Sequence, residues 1–546
     1  MNSNYVITLD RIAKKNGFKV IEKIQKHKNF KEQIKEWKEL GILEKEPDNL
    51  LEKTLTGLQL KKEYQFLPID TKYFKDLELE ILSLFDNLDQ SLDGWLIKSE
   101  NYQALNTILP KFREKVQTTY IDPPFNKEQD ADYLYNVKYK DSSWITLLEN
   151  RLQLVKDLLN EKGSIFTRCD YNGNMYVRLL MNEVFGEENF RNEITLRKVN
   201  YQGTNVQGRF NPAHDLLYFY NKTNEKSKFD LIFKGRDREI NWVNAISPKE
   251  NKEQNTIFIG GRKFIAPKNN HWRFSQNKFD KLYSEGRIRI KEDYEYVDVF
   301  GNKQKGIPQY LESELTPVDS NWTDISGYSF GWGFPTENSE ILLKRVIGST
   351  SNEGDLVMDF FLGSGTTTAV AHKLKRKWIG IEMGEHFYSV VLPRMKKVLF
   401  FDKSGISKEK DVKEKYNENN AGGFFKYYEL EQYEDVLRKA KYEDSDLFSA
   451  PNQSPYEQYI FLKDKKLLDA LKIDYKNNKV KVDLSKIYSN IDIAETLSNL
   501  KGKWIKRITE NEVELADYDE EGKAKNIEKV DLKNLHYKEI KNLIWW

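Results

Sequence analysis

Short apolar runs and stretches of helical spacing alternate along the chain, which predicts an α/β protein. The run Val116–Ile121 has the length of a buried strand, and so do residues 355–361 and 378–382. Residues 369–377, between the last two runs, follow helical spacing. The pattern therefore predicts a sheet whose strands are joined by helices, with functional turns at the carboxyl ends of the strands.

The first of these runs ends in the tetrapeptide Asp122, Pro123, Pro124 and Phe125. Two prolines lock φ and remove two backbone donors, so the Asp122 carboxylate and the Pro123 carbonyl can both face outward as acceptors. Two fixed acceptors beside an aromatic ring suit a planar group with an exocyclic amine, such as adenine. Asp and Pro are also common in turns, so the tetrapeptide alone fits a strand-ending turn equally well.

A glycine-rich turn follows the second run, with Gly363 and Gly365 placed before a predicted helix. Glycines there let the backbone approach a ligand, and the helix start offers unpaired N–H groups. Glu382 closes the next strand about twenty positions on, where an acidic residue can hold a ribose hydroxyl pair. A dinucleotide site has a third glycine where this chain has Thr368. Asp359 would repel a pyrophosphate but could pair with an ammonium, so the pattern favours an aminoacyl nucleoside.

Together, Asp122-Pro-Pro-Phe125 and Asp359-x-Phe361-x-Gly363-x-Gly365 resemble the motif pair of DNA amino-methyltransferases that use S-adenosylmethionine. The tetrapeptide precedes the glycine turn, which is the circularly permuted order of the β group. The resemblance covers residues 95–399 well and 422–546 more loosely. Flanking segments extend it to the modification subunits of type III restriction systems, namely residues 96–105, 144–159, 163–167, 184–190 and 214–220.

This resemblance implies a Rossmann-like, circularly permuted sheet that binds S-adenosylmethionine. It implies catalytic roles for Asp122, Pro123, Pro124 and Phe125. Hydrogen bonds to Asp122 and Pro123 would make the amino nitrogen of adenine a better nucleophile, and the flipped-out base would stack on Phe125. The residues implied to bind the cofactor are Asp359, Phe361, Gly363, Ser364, Gly365, Thr366, Glu382, Glu100 and Asn101.

Four positions depart from the family pattern. Asn338 and Ser339 stand where the family often has Lys-Pro, which leaves contacts from that segment to the cofactor unsupported. Glu100 stands where Asp is usual, and it keeps the charge on a longer arm. Phe125 replaces the commoner Tyr, and it keeps the ring without the hydroxyl.

Composition excludes several rival classes. Cytosine carbon-5 methylation needs a cysteine nucleophile, typically after a proline, whereas the single Cys169 lies between Arg168 and Asp170 and is interpreted as a core thiol. One cysteine allows no intrachain disulfide, and the six scattered histidines predict no metal site. No apolar run reaches the length of a membrane span and the first residues show no signal-peptide pattern, so we expect a cytoplasmic protein without membrane contact.

The pattern predicts five parts of the chain. A helical N-terminal arm is expected first, and the methyltransferase core comprises a catalytic half and a cofactor half separated by an inserted target-recognition region. A charged linker and a C-terminal α+β domain follow. In that order the parts are residues 1–92 for the arm, 93–194 and 318–400 for the core, 195–317 for target recognition, 401–420 for the linker and 421–546 for the last domain.

Basic and aromatic residues interleave in the predicted target-recognition region. Arg, Gln and Asn are the side chains that read base edges in the major groove. The same charges would also fit a loop-rich insertion that is merely solvated, and the net charge of +2 does not by itself indicate nucleic-acid binding. The candidates for DNA contact are Arg197, Lys198, Arg209, Arg262 and Arg273.

The sequence thus favours a site-specific adenine-N6 DNA methyltransferase of a restriction–modification or related phage-defence system. Asp122 favours adenine, because cytosine enzymes of this type usually have Ser there. Two alternatives stay open: methylation of the cytosine N4 amine or of RNA, and an inactive DNA-binding specificity subunit. Double-stranded DNA is the expected partner. A second copy of the chain, in a homodimer, and a separately encoded restriction subunit with helicase and endonuclease activity are further candidate partners.

Overall fold

The computed structural model divides the chain into two compact units, Met1–Asp230 with Ser320–Trp546 and Leu231–Asp319. Phe125 and Arg209, two predicted site residues, lie outside the described residues. The structure describes residues 2–55, 57–124, 141–198, 212–225, 227–236, 238–249, 251, 255–431, 471–474, 479–482, 491–519, 521–533 and 535.

An eleven-stranded sheet is the centre of the first unit. Its strands in chain order are β1 Asn2–Thr8, β2 Pro68–Asp70, β3 Gly94–Lys98, β4 Val116–Ile121, β5 Leu159–Cys169, β6 Phe190–Arg197, β7 His214–Asn221, β8 Asn321–Ser326, β9 Leu356–Asp359, β10 Lys377–Glu382 and β11 Phe424–Glu429. Across the sheet the order is β8-β6-β7-β5-β4-β9-β10-β3-β11-β1-β2.

Six neighbouring strands, from β5 to β11 in that order, run parallel. Every residue of β3, β4 and β9 is buried, as expected for short apolar strands covered on both faces by helices. Parallel strands end at one edge of the sheet, so the turns after β4, β9, β10 and β3 meet there. This confirms the predicted Rossmann-like α/β fold, in which the catalytic strand precedes the cofactor strand in the chain.

Helices connect and cover these strands. The glycine turn leads directly into the helix Thr366–Lys373, which begins earlier than the helical spacing predicts. The other long helices of the first unit are Phe18–Lys26, Phe30–Glu39, Asn101–Phe112, Asp141–Leu158, Asn174–Phe185, Glu340–Thr350, Leu392–Phe400 and Ile493–Lys501. Shorter α-helices are Leu9–Ala13, Glu78–Leu82 and Lys410–Lys413, and a π-helical turn spans Phe387–Val391.

The N-terminal segment is not the purely helical arm that the sequence predicts. Its helices are present, but β1 and β2 extend the central sheet, with β1 antiparallel to both β11 and β2. Tyr5, Val6 and Ile7 of β1 are buried in the sheet. Their partners in β11 lie more than 400 residues away in the chain, so this pairing cannot be predicted from a local sequence pattern.

The predicted charged linker is wrong as well, because this segment packs against the core. Ile406, Val412 and Tyr416 are fully buried, and the Tyr416 hydroxyl donates a 2.6 Å hydrogen bond to the Val398 carbonyl. Charged residues pair around them, as Lys344 does with Glu409 and Asp411. The next predicted part, from residue 421, likewise begins inside the central sheet with β11 and continues to a three-stranded antiparallel sheet, Trp504–Ile508, Glu512–Tyr518 and Ala524–Asp531.

A fully buried cluster of four charges joins distant segments of the first unit. Lys426 on β11 donates to Asp89 at 2.9 Å and to Glu495. Lys111 lies 2.8 Å from the other oxygen of Asp89 and 3.5 Å from Glu495. The cluster is electrically balanced, since two ammonium groups face two carboxylates. It ties the helix Ile493–Lys501 to the sheet.

The second unit, Leu231–Asp319, has a hydrophobic core of its own around Trp272, Phe279 and Ile307. It contains the antiparallel strands Trp242–Asn244, Lys303–Leu311 and Ile288–Val297, and the helix Gln276–Ser284. Two-stranded pairs complete it, Phe233–Gly235 with Leu315–Pro317, Ile246–Pro248 with Asn270–Trp272, and Thr256–Ile259 with Arg262–Ile265. This unit overlaps the predicted target-recognition region, 195–317, but it begins later, at Leu231, and ends two residues beyond it, at Asp319.

Cys169 is fully buried, which confirms the predicted core thiol. Burial raises its pKa well above the usual range, so the thiol is poorly suited to act as a nucleophile. Within the described part of the chain, His, Cys, Asp and Glu form no group that could hold a metal ion. In the same part of the chain, no helix combines the length and apolar character that crossing a bilayer requires.

Candidate active site

The candidate active site lies where four adjacent parallel strands end. Asp122 follows β4, Asp359 ends β9 and Glu382 ends β10, while Glu100 lies two residues after β3. The strand order β4-β9-β10-β3 places these four acidic residues side by side, although they are far apart in the chain. Open α/β sheets bind their ligands at this edge. The structure therefore brings the predicted catalytic and cofactor residues to one place.

Asp122 is held through one of its two oxygens. Asn338 Nδ2 donates a 2.9 Å hydrogen bond to Asp122 Oδ2, and Arg168 Nη1 lies 3.8 Å from the same oxygen. Among the described residues no hydrogen bond reaches Oδ1. Burial raises the pKa of Asp122, whereas Arg168 and Asn338 act in the opposite direction. Oδ1 is therefore an acceptor in a poorly solvated place, where a hydrogen bond is stronger than in water.

Arg168 on β5 is a site residue that the sequence did not predict. Its guanidinium is fully buried, donates to Asp215 Oδ2 at 2.8 Å and to the Gly327 carbonyl at 3.0 Å, and lies 4.0 Å from the centre of the Tyr328 ring. These contacts fix the cation behind Asp122. The sequence signal was weak, since an Arg in an otherwise apolar strand becomes meaningful only when its partners are known.

The two prolines of the tetrapeptide differ in their contacts. Trp144 Nε1 donates a 2.8 Å hydrogen bond to the Pro124 carbonyl, which fixes the turn to the helix Asp141–Leu158. The Pro123 carbonyl accepts no hydrogen bond from the described residues, as expected for an acceptor that serves a ligand. The expected stacking role of Phe125 stays a prediction, because Phe125 lies outside the described residues.

Asp359 is buried at the start of the glycine turn. Its oxygens accept from the Phe361 backbone N–H at 3.0 Å and from the Thr367 hydroxyl at 2.5 Å. Burial raises its pKa to about 7, and the negative charges of Asp122 and Glu382 add to the rise while the two hydrogen bonds oppose it. A cation placed beside Asp359 would favour its ionised form.

Glu382 holds the glycine turn in place. Its Oε2 accepts from the Gly363 N–H at 2.8 Å, and its Oε1 accepts from the Gly384 N–H at 2.8 Å. Each carboxylate oxygen has a second acceptor position, so Glu382 can still bind hydroxyl groups. Gly363 and Gly365 have φ values of +55° and +82°, a region that side chains disfavour.

Ser364 and Thr366 direct their hydroxyls toward the protein interior. Arg394 Nη1 donates to Thr366 Oγ1 at 2.9 Å and lies 3.3 Å from Ser364 Oγ. The same fully buried guanidinium pairs with Glu337 and Glu340. These two hydroxyls therefore fix the turn to Arg394, a residue that the sequence did not predict, and a role for them in cofactor binding stays a prediction.

Glu100 and Asn101 form a small network with Arg151. Glu100 Oε2 caps the helix Asn101–Phe112 by accepting from the Gln103 N–H at 3.0 Å, and Arg151 donates to its other oxygen and to Asn101 Oδ1. Asn101 Nδ2 donates to the Phe360 carbonyl at 3.0 Å. The network joins the start of this helix to the strand that carries Asp359. Phe361 is half-buried and packs against the hydrophobic core of the first unit, and its ring centre lies 5.1 Å from that of Phe360.

His386 completes the cofactor side of the site and was also missed. It is 4% exposed, and neither ring nitrogen has a hydrogen-bond partner within the described part of the chain. Its Nε2 lies 3.4 Å from Glu382 Oε1, and its ring centre lies 4.9 Å from that of Phe334. Buried polar atoms are normally satisfied, so these nitrogens indicate a place for a ligand with hydroxyl groups.

The candidates for DNA contact are distributed over both units. Arg197 ends β6 and Lys198 pairs with Asp215 at 2.8 Å. In the second unit Arg262 pairs with Glu292, and Arg273 lies over the Tyr310 ring. Their role in DNA binding stays a prediction.

The site has a glycine turn, an acid closing the next strand and a buried acceptor on the neighbouring strand. These features define an α/β protein with the ligand-binding sheet edge of a Rossmann-like fold. The family model described as DNA methylase, for N6 and N4 methyltransferases, matches residues 116–392, which is half of the chain. The chain belongs to this DNA methylase family.

Curated relatives agree with this assignment. The chain is 28% identical over 448 residues to the probable type III restriction-modification enzyme HindVI Mod subunit of Haemophilus influenzae, an alignment that covers 68% of this chain and only 58% of that subunit. It is 26% identical over 344 residues to the type II methyltransferase M.EcaI of Enterobacter cloacae, covering 59% of this chain and 71% of that enzyme. The solved M1.HpyAVI–SAM complex aligns with a TM-score of 0.31 at 16% identity, covering 55% of this chain and 98% of the other.

Proposed function

We propose that this chain is a site-specific DNA methyltransferase that uses S-adenosylmethionine to methylate the N6 amine of adenine. One observation carries the proposal: Asp122 Oδ1, after β4, accepts no hydrogen bond from the described residues and lies at the same sheet edge as the glycine turn after the adjacent strand β9. Membership in the DNA methylase family supports the reaction class. Similarity to a type III Mod subunit supports a role in a restriction–modification or related phage-defence system.

The residues of the glycine turn fit the proposed cofactor, which supplies an electrophilic methyl group on a sulfonium. Asp359 would pair with the ammonium group of its methionine part. Glu382 and His386, whose ring nitrogens have no hydrogen-bond partner among the described residues, would bind the ribose hydroxyls. The positive φ values of Gly363 and Gly365 allow the backbone to approach the ligand closely.

The target base would bind at the tetrapeptide. Asp122 Oδ1 and the Pro123 carbonyl would accept the two N–H bonds of the amino group and localise its lone pair. A base inside a duplex cannot reach this edge, so it must be flipped out at a cost of a few kcal/mol. Phe125 would offset part of that cost by stacking. Asp in place of Ser at position 122 supports adenine over cytosine as the target.

We assign target recognition to residues 195–317, which include all but the last two residues of the second unit, and the methyltransferase core to 93–194 and 318–400. Double-stranded DNA is the proposed substrate, with Arg197, Lys198, Arg209, Arg262 and Arg273 as candidate contacts. A second copy of the chain and a separate restriction subunit are the proposed protein partners. The similarity to a Mod subunit supports the second of these.

Incubation with tritiated S-adenosylmethionine and plasmid DNA, followed by single-molecule sequencing, tests the proposal. We expect label in DNA and N6-methyladenine at one short sequence. Detection of N4-methylcytosine in the DNA would instead support the cytosine alternative. Absence of label in both DNA and RNA would support the inactive specificity subunit.

Gly365→Ala is expected to weaken S-adenosylmethionine binding at least tenfold. A Cβ at Gly365 would be held at φ +82°, a strained conformation for a residue with a side chain, and it would contact Val391 at 3.4 Å. The left-handed conformation costs roughly 1–2 kcal/mol in a residue with a side chain. Isothermal titration calorimetry measures the affinity. Gly354→Ala is the matched control, because it has φ +84° in open space; equal affinities of the two variants would mean that the turn does not bind the cofactor.

Cofactor affinity is expected to increase as the pH rises from 6 to 7.5. The pKa of Asp359 is about 7 because burial disfavours its charge, and an ammonium ligand binds the ionised form. Binding should therefore be weak below the pKa, where Asp359 is protonated, and should gain strength as the carboxylate ionises. Titration calorimetry at several pH values measures this trend, and Asp359→Asn should abolish it. A flat profile in the unaltered protein would exclude a pairing of Asp359 with the ammonium.

A further inference from the structure

Asn338, the residue that replaces the Lys common in the family, contacts the catalytic aspartate. Its Oδ1 accepts from the Tyr120 hydroxyl at 2.8 Å and from Arg168 Nη1 at 2.6 Å. Its Nδ2 donates to Asp122 Oδ2 at 2.9 Å. Because two donors face Oδ1 and an acceptor faces Nδ2, the orientation of the amide is fixed by its neighbours.

The backbone around Asn338 is held as firmly as its side chain. Residues Tyr328 and Asn338 form a β-bridge, and the Ser339 N–H donates to the Gly327 carbonyl at 3.2 Å. The same Gly327 carbonyl accepts from Arg168. The segment that carries Asn338 is therefore tied to the buried cation behind Asp122, and the amide is placed between the two charges.

Two buried neighbours hold the side-chain amide of Asn338 in place. Tyr120 on β4 and Arg168 on β5 are both fully buried on adjacent parallel strands. Arg168 Nη1 lies 2.6 Å from Asn338 Oδ1 but 3.8 Å from Asp122 Oδ2. An arginine this close to a carboxylate would ordinarily form a direct, bidentate ion pair with it. Instead, the Asn338 amide accepts a hydrogen bond from the guanidinium of Arg168 through Oδ1. It also donates a hydrogen bond to Oδ2, the Asp122 oxygen that lies nearest to Arg168.

We propose that Asn338 is a positioning residue, which holds Asp122 by Oδ2, separates it from Arg168 and leaves Oδ1 directed at the target amine. This inference rests on the proposed function, since it assigns a role within the same site. It implies that the replacement of the family's Lys-Pro affects the position of the catalytic carboxylate and not the binding of the cofactor. Without the amide, Arg168 would close the gap to Asp122 and turn the carboxylate away from the base.

The proposal predicts a loss of turnover without a loss of binding. Asn338→Ala should lower the single-turnover rate at saturating DNA and cofactor about a hundredfold, the scale expected when a reacting group is misplaced by about an ångström. The KM for DNA and the dissociation constant for S-adenosylmethionine should remain within twofold of the unaltered values. Tyr120→Phe, which removes one of the groups that orient the amide, should cause a smaller loss in the same direction. Asn352→Ala, an exposed Asn→Ala change, is the matched control.

Asn338→Leu keeps a branched side chain of similar size, but it has no N–H for Asp122 to accept and no oxygen to hold Arg168. It should reproduce the rate loss, and it remains informative if Asn338→Ala does not fold. Full turnover in Asn338→Leu would overturn the proposal, as would a loss that appears only in KM or in cofactor affinity.

A crystal structure of Asn338→Ala separates this inference from the proposed function. We expect Arg168 Nη1 within 3 Å of Asp122, a contact that can be observed even if no DNA is ever methylated. An unchanged distance of 3.8 Å would overturn the spacing role. Failure of the unaltered protein to label any nucleic acid would instead overturn the proposed function.

Discussion

Asp122→Ala is expected to lower the single-turnover rate of methyl transfer by about a thousandfold. The change removes the carboxylate that follows β4, with the Oδ1 acceptor that no hydrogen bond from the described residues reaches. Cofactor affinity should be unchanged or slightly higher near neutral pH. The glycine turn is held by Glu382 and Arg394, and the charge of Asp122 contributes to the raised pKa of Asp359.

Single-turnover assays with pre-bound labelled cofactor measure this rate, and calorimetry measures the affinity. Asp122→Asn tests the charge alone, because its side chain has the same size and shape. Asp48→Ala, at an exposed position, should leave both quantities unaltered. Appreciable methylation by Asp122→Ala would show that the reaction does not depend on this carboxylate, and the mechanism would have to be abandoned.

Lys426→Met is expected to lower the free energy of unfolding by about 3–5 kcal/mol. The ammonium of Lys426 is fully buried between Asp89 and Glu495, and methionine fills a similar volume without the charge. Two buried carboxylates would then share only Lys111. Urea unfolding followed by tryptophan fluorescence measures the change. Lys23→Met, at a surface pair with Glu80, should shift the unfolding midpoint very little.

A double variant tests the physical cause of this loss. In Lys426→Met with Glu495→Gln, one positive and one negative charge are removed, so Asp89 and Lys111 remain as a balanced pair. The double variant should be more stable than Lys426→Met alone. If it is less stable by the sum of the two single effects, the cost arises from lost packing and hydrogen bonds and not from an uncompensated charge.

The parts of the site that could be predicted from the sequence are those that follow strands directly. Asp122 comes after a short apolar strand, and the run to Gly363 and Gly365 combines a strand, a turn and a helix in one local pattern. Such patterns depend on neighbours in the chain, so their place at the sheet edge follows from the fold class. The parallel order of β4 and β9 then brings the two motifs together.

The supporting residues could not be predicted, because distant segments define them. Asn338 reaches Asp122 across 216 residues, and Arg168 reaches Asn338 across 170. Arg394 becomes a support of the glycine turn only when the helix Leu392–Phe400 is packed against it. In the sequence these are ordinary polar residues, and only tertiary contacts give them a role.

The errors in the predicted domain organisation have the same origin. Charged residues dominate 401–420, and they obscured the three buried side chains Ile406, Val412 and Tyr416, whose spacing fits no regular element. In the N-terminal segment the later helical spacing outweighed the short strand β1. A strand of seven residues can be recognised only from the strand that it pairs with, and for β1 that strand is the distant β11.

The pairing of β1 with β11 has a consequence for how the protein is made. At about 5–20 residues per second, a ribosome needs roughly 20 to 80 s after β1 to complete β11. In that interval β2 can cover one side of β1, while the other side, with Tyr5, Val6 and Ile7, is an open strand edge of the kind that recruits other chains. Nascent chains truncated before residue 429 should therefore aggregate instead of yielding a smaller enzyme. For the full-length chain, slower synthesis at low temperature will improve the yield only if chaperones cover this strand edge until β11 is made.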